Sequence, residues 1–178
     1  MMDSEPVLEL DPHFSSDDAT PRPWAEGRQH LEQAEVYWLT TMRPDGRPHV
    51  TPVLAVWSND AFYFCTGAGE RKARNLARNA HCALTTGCNA LNEGFDLVVE
   101  GEASRVDDEA TLRHLAELYA SKYDWHFTVR DGAFHSDAGN LAQVYAVSPA
   151  TAFGFGKGEP FSQTRWRFQR ALVPYESP

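Results

Sequence analysis

The sequence predicts a mainly β protein with flanking helices, its strands arranged as a closed or nearly closed antiparallel barrel. Three observations carry that expectation. Short β-branched and aromatic runs separated by turn residues recur from Val36 to Phe155, the pattern of strands joined by tight connections. Two stretches, 70–80 and 107–123, change to helical spacing. No segment repeats another, so one sheet system with outlying helices is the economical arrangement.

Residues 1–23 are acidic and carry Pro6, Pro12, Pro21 and Pro23 without sustained periodicity, and they are expected to form a flexible N-terminal arm. From Trp24 to Glu35 the residues Glu26, Gln29, Leu31, Glu32 and Gln33 are tolerable helix formers, so a short helix is expected. Val36 to Thr41 reads as a strand, Pro44-Asp45-Gly46-Arg47 as a turn, and His49 to Trp57 as the returning strand. Asn59-Asp60 then turns the chain into Phe62-Tyr63-Phe64-Cys65-Thr66, which makes a meander.

Ala73, Leu76, Ala77 and Ala80 fall at i, i+3, i+4 and i+7 within Glu70 to Ala80, one apolar stripe of a short helix whose other face is basic. Cys82–Thr86 and Phe95–Ala103 are two more strands across a loop rich in Gly and Asn. Asp107-Asp108-Glu109 places carboxylates at a helix start, and Leu112, Leu115, Ala116 and Tyr119 continue that helix to about Tyr123. Residues 124–140 give no clear period, whereas Ala142–Val147 and Ala152–Phe155 read as the last strands. One domain is expected over residues 24–170, followed by a C-terminal tail at 171–178.

At 178 residues the chain is long enough for one core, and its 42% hydrophobic and 23% charged content is that of ordinary globular domains. No apolar run approaches the roughly 20 residues needed to cross a bilayer, and Met1-Met2-Asp3-Ser4-Glu5 lacks the basic start of a secretory signal. A cytoplasmic protein without a membrane partner is therefore expected. The net charge of −9 works against nucleic acid as a partner. Three cysteines without a CxxC pair support neither a disulfide framework nor a thiolate zinc site. The seven histidines show no metal-binding spacing, and no Gly-x-Ser-x-Gly elbow occurs, so no metal is expected and hydrolysis is set aside.

Arg71, Arg74 and Arg78 recur at i, i+3 and i+7, with Lys72 and Asn75 alongside, directly after the strand-turn Thr66-Gly67-Ala68-Gly69. Glycines allow close backbone approach, and Arg grips phosphate oxygens two at a time, so this is an anion site in outline; a solvated helix face paired with local carboxylates fits the same residues. In His49-Val50-Thr51-Pro52-Val53-Leu54 the proline belongs at an edge or bulge, where free backbone groups could meet a polar ring edge. Near the end, Phe153-Gly154-Phe155-Gly156-Lys157-Gly158 and Thr164-Arg165-Trp166-Arg167-Phe168 combine residues suited to a flat anionic ligand, or equally to core aromatics beside paired arginines.

Taken in order, Leu39-Thr40-Thr41, Pro44-Asp45-Gly46-Arg47-Pro48-His49, Phe62-Tyr63-Phe64-Cys65-Thr66, Arg71-Lys72-Ala73-Arg74-Asn75-Leu76 and Val99-Glu100-Gly101 resemble the pyridoxamine-phosphate-oxidase-like split-barrel family over about residues 30–168. The resemblance implies a six-stranded antiparallel split β-barrel, a homodimer, and a flavin-type cofactor at the subunit interface. It places Thr51, Pro52 and Val53 along the isoalloxazine ring, Thr66, Arg71 and Lys72 at the ribityl phosphate with Asn75 beside them, Asp96 as a polar contact to the flavin, and Arg165, Trp166 and Arg167 in the C-terminal stretch that reaches the partner's site.

Departures narrow the activity. Where true pyridoxamine phosphate oxidases carry an arginine and a lysine on the second strand, this chain has Thr51 and Val56, and their Arg-Leu-His is replaced by Arg165-Trp166-Arg167, which argues against vitamin-phosphate oxidation. Lys72-Ala73-Arg74-Asn75-Leu76 is similar to segments of the deazaflavin-dependent reductases of the superfamily, so FMN and the deazaflavin coenzyme F420 both remain. The expected function is an oxidoreductase moving a hydride to or from a small organic substrate, with no side chain required as acid or base. A non-catalytic carrier of flavin, deazaflavin or haem on the same fold is the alternative.

Overall fold

Apolar and polar side chains alternate along the strands, and the alternation wraps the sheet around its core. The computed structural model describes residues 5–169. Its strands are β1 (Val7–Leu10), β2 (Tyr37–Met42), β3 (Pro48–Val53), β4 (Ala55–Ser58), β5 (Ala61–Thr66), β6 (His81–Thr86), β7 (Phe95–Val106), β8 (Thr128–Arg130), β9 (Ala133–His135), β10 (Leu141–Gly156) and β11 (Ser162–Arg167). The helices are α1 (Trp24–Gln33), α2 (Arg71–Leu76) and α3 (Glu109–Tyr123).

The expected barrel is present. β2 pairs with β3 and β6, β6 with β7, β7 with β10, β10 with β5, and β5 with β4, all antiparallel. Because β3 runs through Leu54 into β4, the circuit closes with six staves, one of them bent. Among the described residues the sheet nevertheless contains eleven strands rather than six. The bend divides one stave in two, β1 and β11 extend the sheet beyond β10, and β8–β9 form a small added hairpin.

Three local readings are corrected by these pairings. Val7–Leu10 is a strand and not part of an unstructured arm: it pairs with β11, Val7 opposite Arg167 and Leu10 opposite Thr164. Four residues are too few to show a period, and their partner lies at the far end of the chain. The segments 142–147 and 152–155 are one strand of 16 residues, carried past Pro149 by a register shift between Pro149 and Thr151, which accommodates a residue without an N–H. Within 124–140, Asp131 and Gly132 adopt φ values of 53° and 64° and join β8 to β9 in a tight hairpin. The expected tail at 171–178 lies outside the described residues.

Leu39, Phe62, Phe64, Leu84, Leu97 and Trp166 are fully buried inside the barrel. Leu112, Leu115 and Tyr119 of α3 build a second apolar cluster with Phe134 and Val144 on the outside of the wall. The end of α3 also anchors the bent stave. Where the chain leaves β2 for β5, its backbone groups at Leu54 and Ala55 lose ladder partners, and α3 supplies replacements. The Tyr119 hydroxyl lies 3.0 Å from the Leu54 carbonyl. The Ala55 N–H donates to the Tyr123 oxygen at 3.2 Å, and the Ala55 carbonyl accepts from Tyr123 at 2.8 Å and from Lys122 Nζ at 3.1 Å. Burial pulls the Lys122 ammonium down to about 8.

Tyr123→Phe leaves the Ala55 N–H without a partner and the Ala55 carbonyl with Lys122 alone, and is expected to lower unfolding free energy by about 1–3 kcal/mol. Urea denaturation measures this; no loss of stability would show that the hydroxyl does not hold the bend.

Candidate functional site

Among the described residues β3 pairs only with β2 and β4 only with β5, so β3 and β5 splay apart on either side of the bend. A cleft of about 1030 Å³ opens there. One wall is the free edge of β3 at Pro52, Val53 and Leu54; the floor is the end of β5 and the turn after it, Cys65, Thr66, Gly67, Glu70 and Lys72; the far wall includes Trp125, His126 and Phe127, just beyond α3. The walls are mainly apolar and one end is polar, as suits a flat ligand with an ionic tail.

The polar end gathers hydrogen-bond donors around one carboxylate. Gly67 N–H donates to Glu70 Oε1 at 2.9 Å, and Lys72 Nζ donates to Glu70 Oε2. Partial burial works to raise the Glu70 carboxyl, but the bonds from Lys72 and Gly67 hold it below the usual carboxylate range, while the nearby Thr66 hydroxyl is buried without a hydrogen-bond partner among the described residues. Thr66 is itself almost fully buried. An internal anion thus already rests on a set of donors of the kind that grips phosphate.

Beside the cleft the barrel end is cationic. His49 faces Thr41 across β2 and β3. Its imidazole is held below its ordinary pKa first by burial and then by Arg43, Arg71 and Lys72. His49 Nδ1, Arg43 Nε and Thr51 Oγ1 are buried without hydrogen-bond partners among the described residues. Buried donors left unpaired are costly, and an anionic ligand at this end would offset that cost.

The structure therefore brings Pro52, Val53, Thr66 and Lys72 to the cleft, with Thr51 within β3 but outside the cleft lining and Arg71 exposed at the start of α2. It does not bring the others there. Asn75 is buried and donates to Thr41 Oγ1 at 3.0 Å, which fastens α2 to β2. Asp96 accepts from the Cys88 N–H at 3.1 Å and pairs with Lys157 at 3.0 Å, closing the β6–β7 loop. Arg165 and Arg167 both pair with Glu9 of β1. Trp166 is a core residue whose indole N–H donates to the Arg22 carbonyl at 3.0 Å; strand alternation in β11 turns it inward, so it cannot cap a substrate from this position.

Gly67, Glu70, His49 and the aromatic wall at 125–127 were not singled out as site residues from sequence. The Thr66-Gly67-Ala68-Gly69 turn was a usable signal for the first two, whereas the wall depends on where α3 ends. Cys65, in the cleft floor, is pushed up to about 11 by burial and remains a thiol at neutral pH.

A bent-stave barrel with a cleft at the bend and an anion cradle at its end is a split barrel. The sequence profile of pyridoxamine 5'-phosphate oxidase matches residues 24–153. The chain belongs to that family. Curated protein sequences give no match. Among solved structures, a conserved hypothetical protein of Mycobacterium tuberculosis is 17% identical with a TM-score of 0.62, covering 96% of each chain. A FAD-binding protein of Mesorhizobium loti is 13% identical with a TM-score of 0.55, covering 90% of this chain and 98% of its own. The FAD-binding protein of Mycobacterium smegmatis is 19% identical with a TM-score of 0.51, covering 81% and 94%. At these identities the likeness is one of fold. Among the described residues no helix is long and apolar enough to cross a membrane.

An anion seated at this end of the barrel would offset the positive field on His49, so inorganic phosphate is expected to raise the His49 pKa. NMR titration of its ring protons with and without phosphate measures the shift; an unchanged pKa would separate His49 from any anion site.

Proposed function

We propose that the chain is a flavin-type oxidoreductase, dependent on FMN or the deazaflavin coenzyme F420, that moves a hydride to or from a small organic substrate. The observation that carries this reading is the pair of donors Gly67 N–H and Lys72 Nζ, already closed on a carboxylate beside the buried, unpartnered Thr66 hydroxyl, at the end of a mainly apolar cleft of about 1030 Å³. When bound, the ring supplies the hydride chemistry. The free edge of β3 at Pro52–Leu54 would hydrogen-bond the polar edge of the ring, Lys72 and Arg71 would neutralise the phosphate, and Trp125 and Phe127 would shield the opposite side from water. Cys65, held as a thiol, provides no nucleophile, in keeping with reactivity resident in the cofactor.

The second part of the proposal is a homodimer with the cleft at its interface. Trp38 and Val50 are about half exposed, and strand register places Trp38 beside Pro52 and Thr85, and Thr85 beside Val98. This outward apolar row ends at the same β3 edge that lines the cleft, so a second copy covering it would also wall the cofactor site. Exposed apolar patches of this kind mark association surfaces.

Two charge-assisted phosphate contacts are worth about 1.5–3 kcal/mol each, so Arg71→Ala combined with Lys72→Ala is expected to weaken FMN binding by about 100-fold or more, read by fluorescence quenching; near-wild-type affinity would remove the assignment. Steady-state turnover with electron donors and acceptors separates an oxidoreductase from a carrier, which would bind cofactor and turn over nothing. Trp38→Glu is expected to shift the protein from dimer to monomer in light-scattering chromatography, and an unchanged mass would place the interface elsewhere.

A further inference from the structure

Two donors at the polar end of the cleft, the Gly67 N–H and the Lys72 ammonium, are engaged by the chain itself. We propose that the Glu70 carboxylate is a built-in occupant of the anion cradle, which a ligand's phosphate must displace, so that Glu70 sets how tightly phosphate-bearing cofactors are held. The inference rests on the reading of the cleft as the site of a phosphate-bearing ring.

The geometry suits displacement. Lys72 is the fixed partner, its side chain 13% exposed, while the Glu70 side chain is 52% exposed and has solvent into which to turn. The turn does not depend on that side chain. Glu70 N–H donates to the Gly67 carbonyl at 3.0 Å, and the Glu70 carbonyl accepts from Arg74 N–H at 3.1 Å, so backbone bonds keep the loop and the start of α2 in place when the carboxylate leaves. What is lost on departure is the Gly67 N–H bond at 2.9 Å and the Lys72 ion pair, and both donors are then available to phosphate oxygens beside the Thr66 hydroxyl, which is buried without a partner among the described residues even with Glu70 seated.

Charge decides the direction of the effect. With Glu70 seated, the positive charge of Lys72 is matched, and an arriving phosphate meets a like charge at the cradle itself. Arg71, adjacent in sequence, has no carboxylate partner among the described residues and adds attraction without relieving that conflict. A neutral ring lacking phosphate leaves Glu70 where it is. Glu70 therefore acts on the phosphate alone, lowering retention of cofactor relative to the same cradle without it and favouring exchange.

The test is fluorescence titration of the full-length protein and its Glu70→Gln variant with FMN and with riboflavin, at low and high salt. Glutamine keeps an acceptor for Gly67 N–H and removes the charge. A like charge about 4 Å away in a water-like dielectric corresponds to about a fivefold change in affinity. The variant is expected to bind FMN at least about that much more tightly, to bind riboflavin unchanged, and to lose its advantage as salt screens the repulsion. Equal or weaker FMN binding by the variant, or an equal gain for riboflavin, overturns the role of Glu70 while leaving the flavin site standing. Failure of both proteins to bind FMN overturns the cleft as an FMN site and the inference with it.

Discussion

The constraint on which the molecule depends is the bend at Leu54. A stave that stayed straight would pair along its whole length and leave no opening; a stave that bends without support leaves buried backbone groups unpaired, at a cost comparable to a lost hydrogen bond each. The end of α3 resolves this. Tyr119, Lys122 and Tyr123 take over the carbonyl and amide groups released at Leu54 and Ala55. The partial desolvation of Lys122 is part of the cost of that arrangement.

From the bend follows the site. β3 ends with a free edge, β5 ends in the Thr66–Glu70 turn, and the chain beyond α3 delivers an aromatic wall opposite them. One helix thus both holds the cleft open and positions its far side. The cationic barrel end, with Arg43 and Arg71 gathered near Lys72 around an imidazole at His49 that they hold toward its neutral form, gives a protein of net charge −9 a local positive field, which is how an acidic molecule can hold an anionic ligand.

Much of the barrel was legible because its strands alternate and are punctuated by Asn59-Asp60 and Pro44-Asp45-Gly46, residues whose chemistry forces turns. The clustering of Thr66, Arg71 and Lys72 was legible because they lie within seven residues of each other, and two of them, Thr66 and Lys72, line the cleft. What depends on distant pairing was not. For the Arg165-Trp166-Arg167 stretch, expected to reach a partner's site, strand alternation within the chain sends Trp166 into the core and both arginines to Glu9. Asp96 and Asn75 likewise have polar partners that only the folded chain brings within reach. Glu70, by contrast, was in plain view, and its role emerges only from the direction of its side chain.

The central claim is that a phosphate-bearing ring lies between the edge of β3 and the Thr66–Lys72 turn. Amide chemical-shift mapping during titration with FMN tests it most directly. The account predicts that the largest changes fall on Val53, Leu54, Gly67 and Lys72, with Trp125 and Phe127 following. Changes confined to the loop around Cys88, Asp96 and Lys157, or none at saturating FMN, would contradict it.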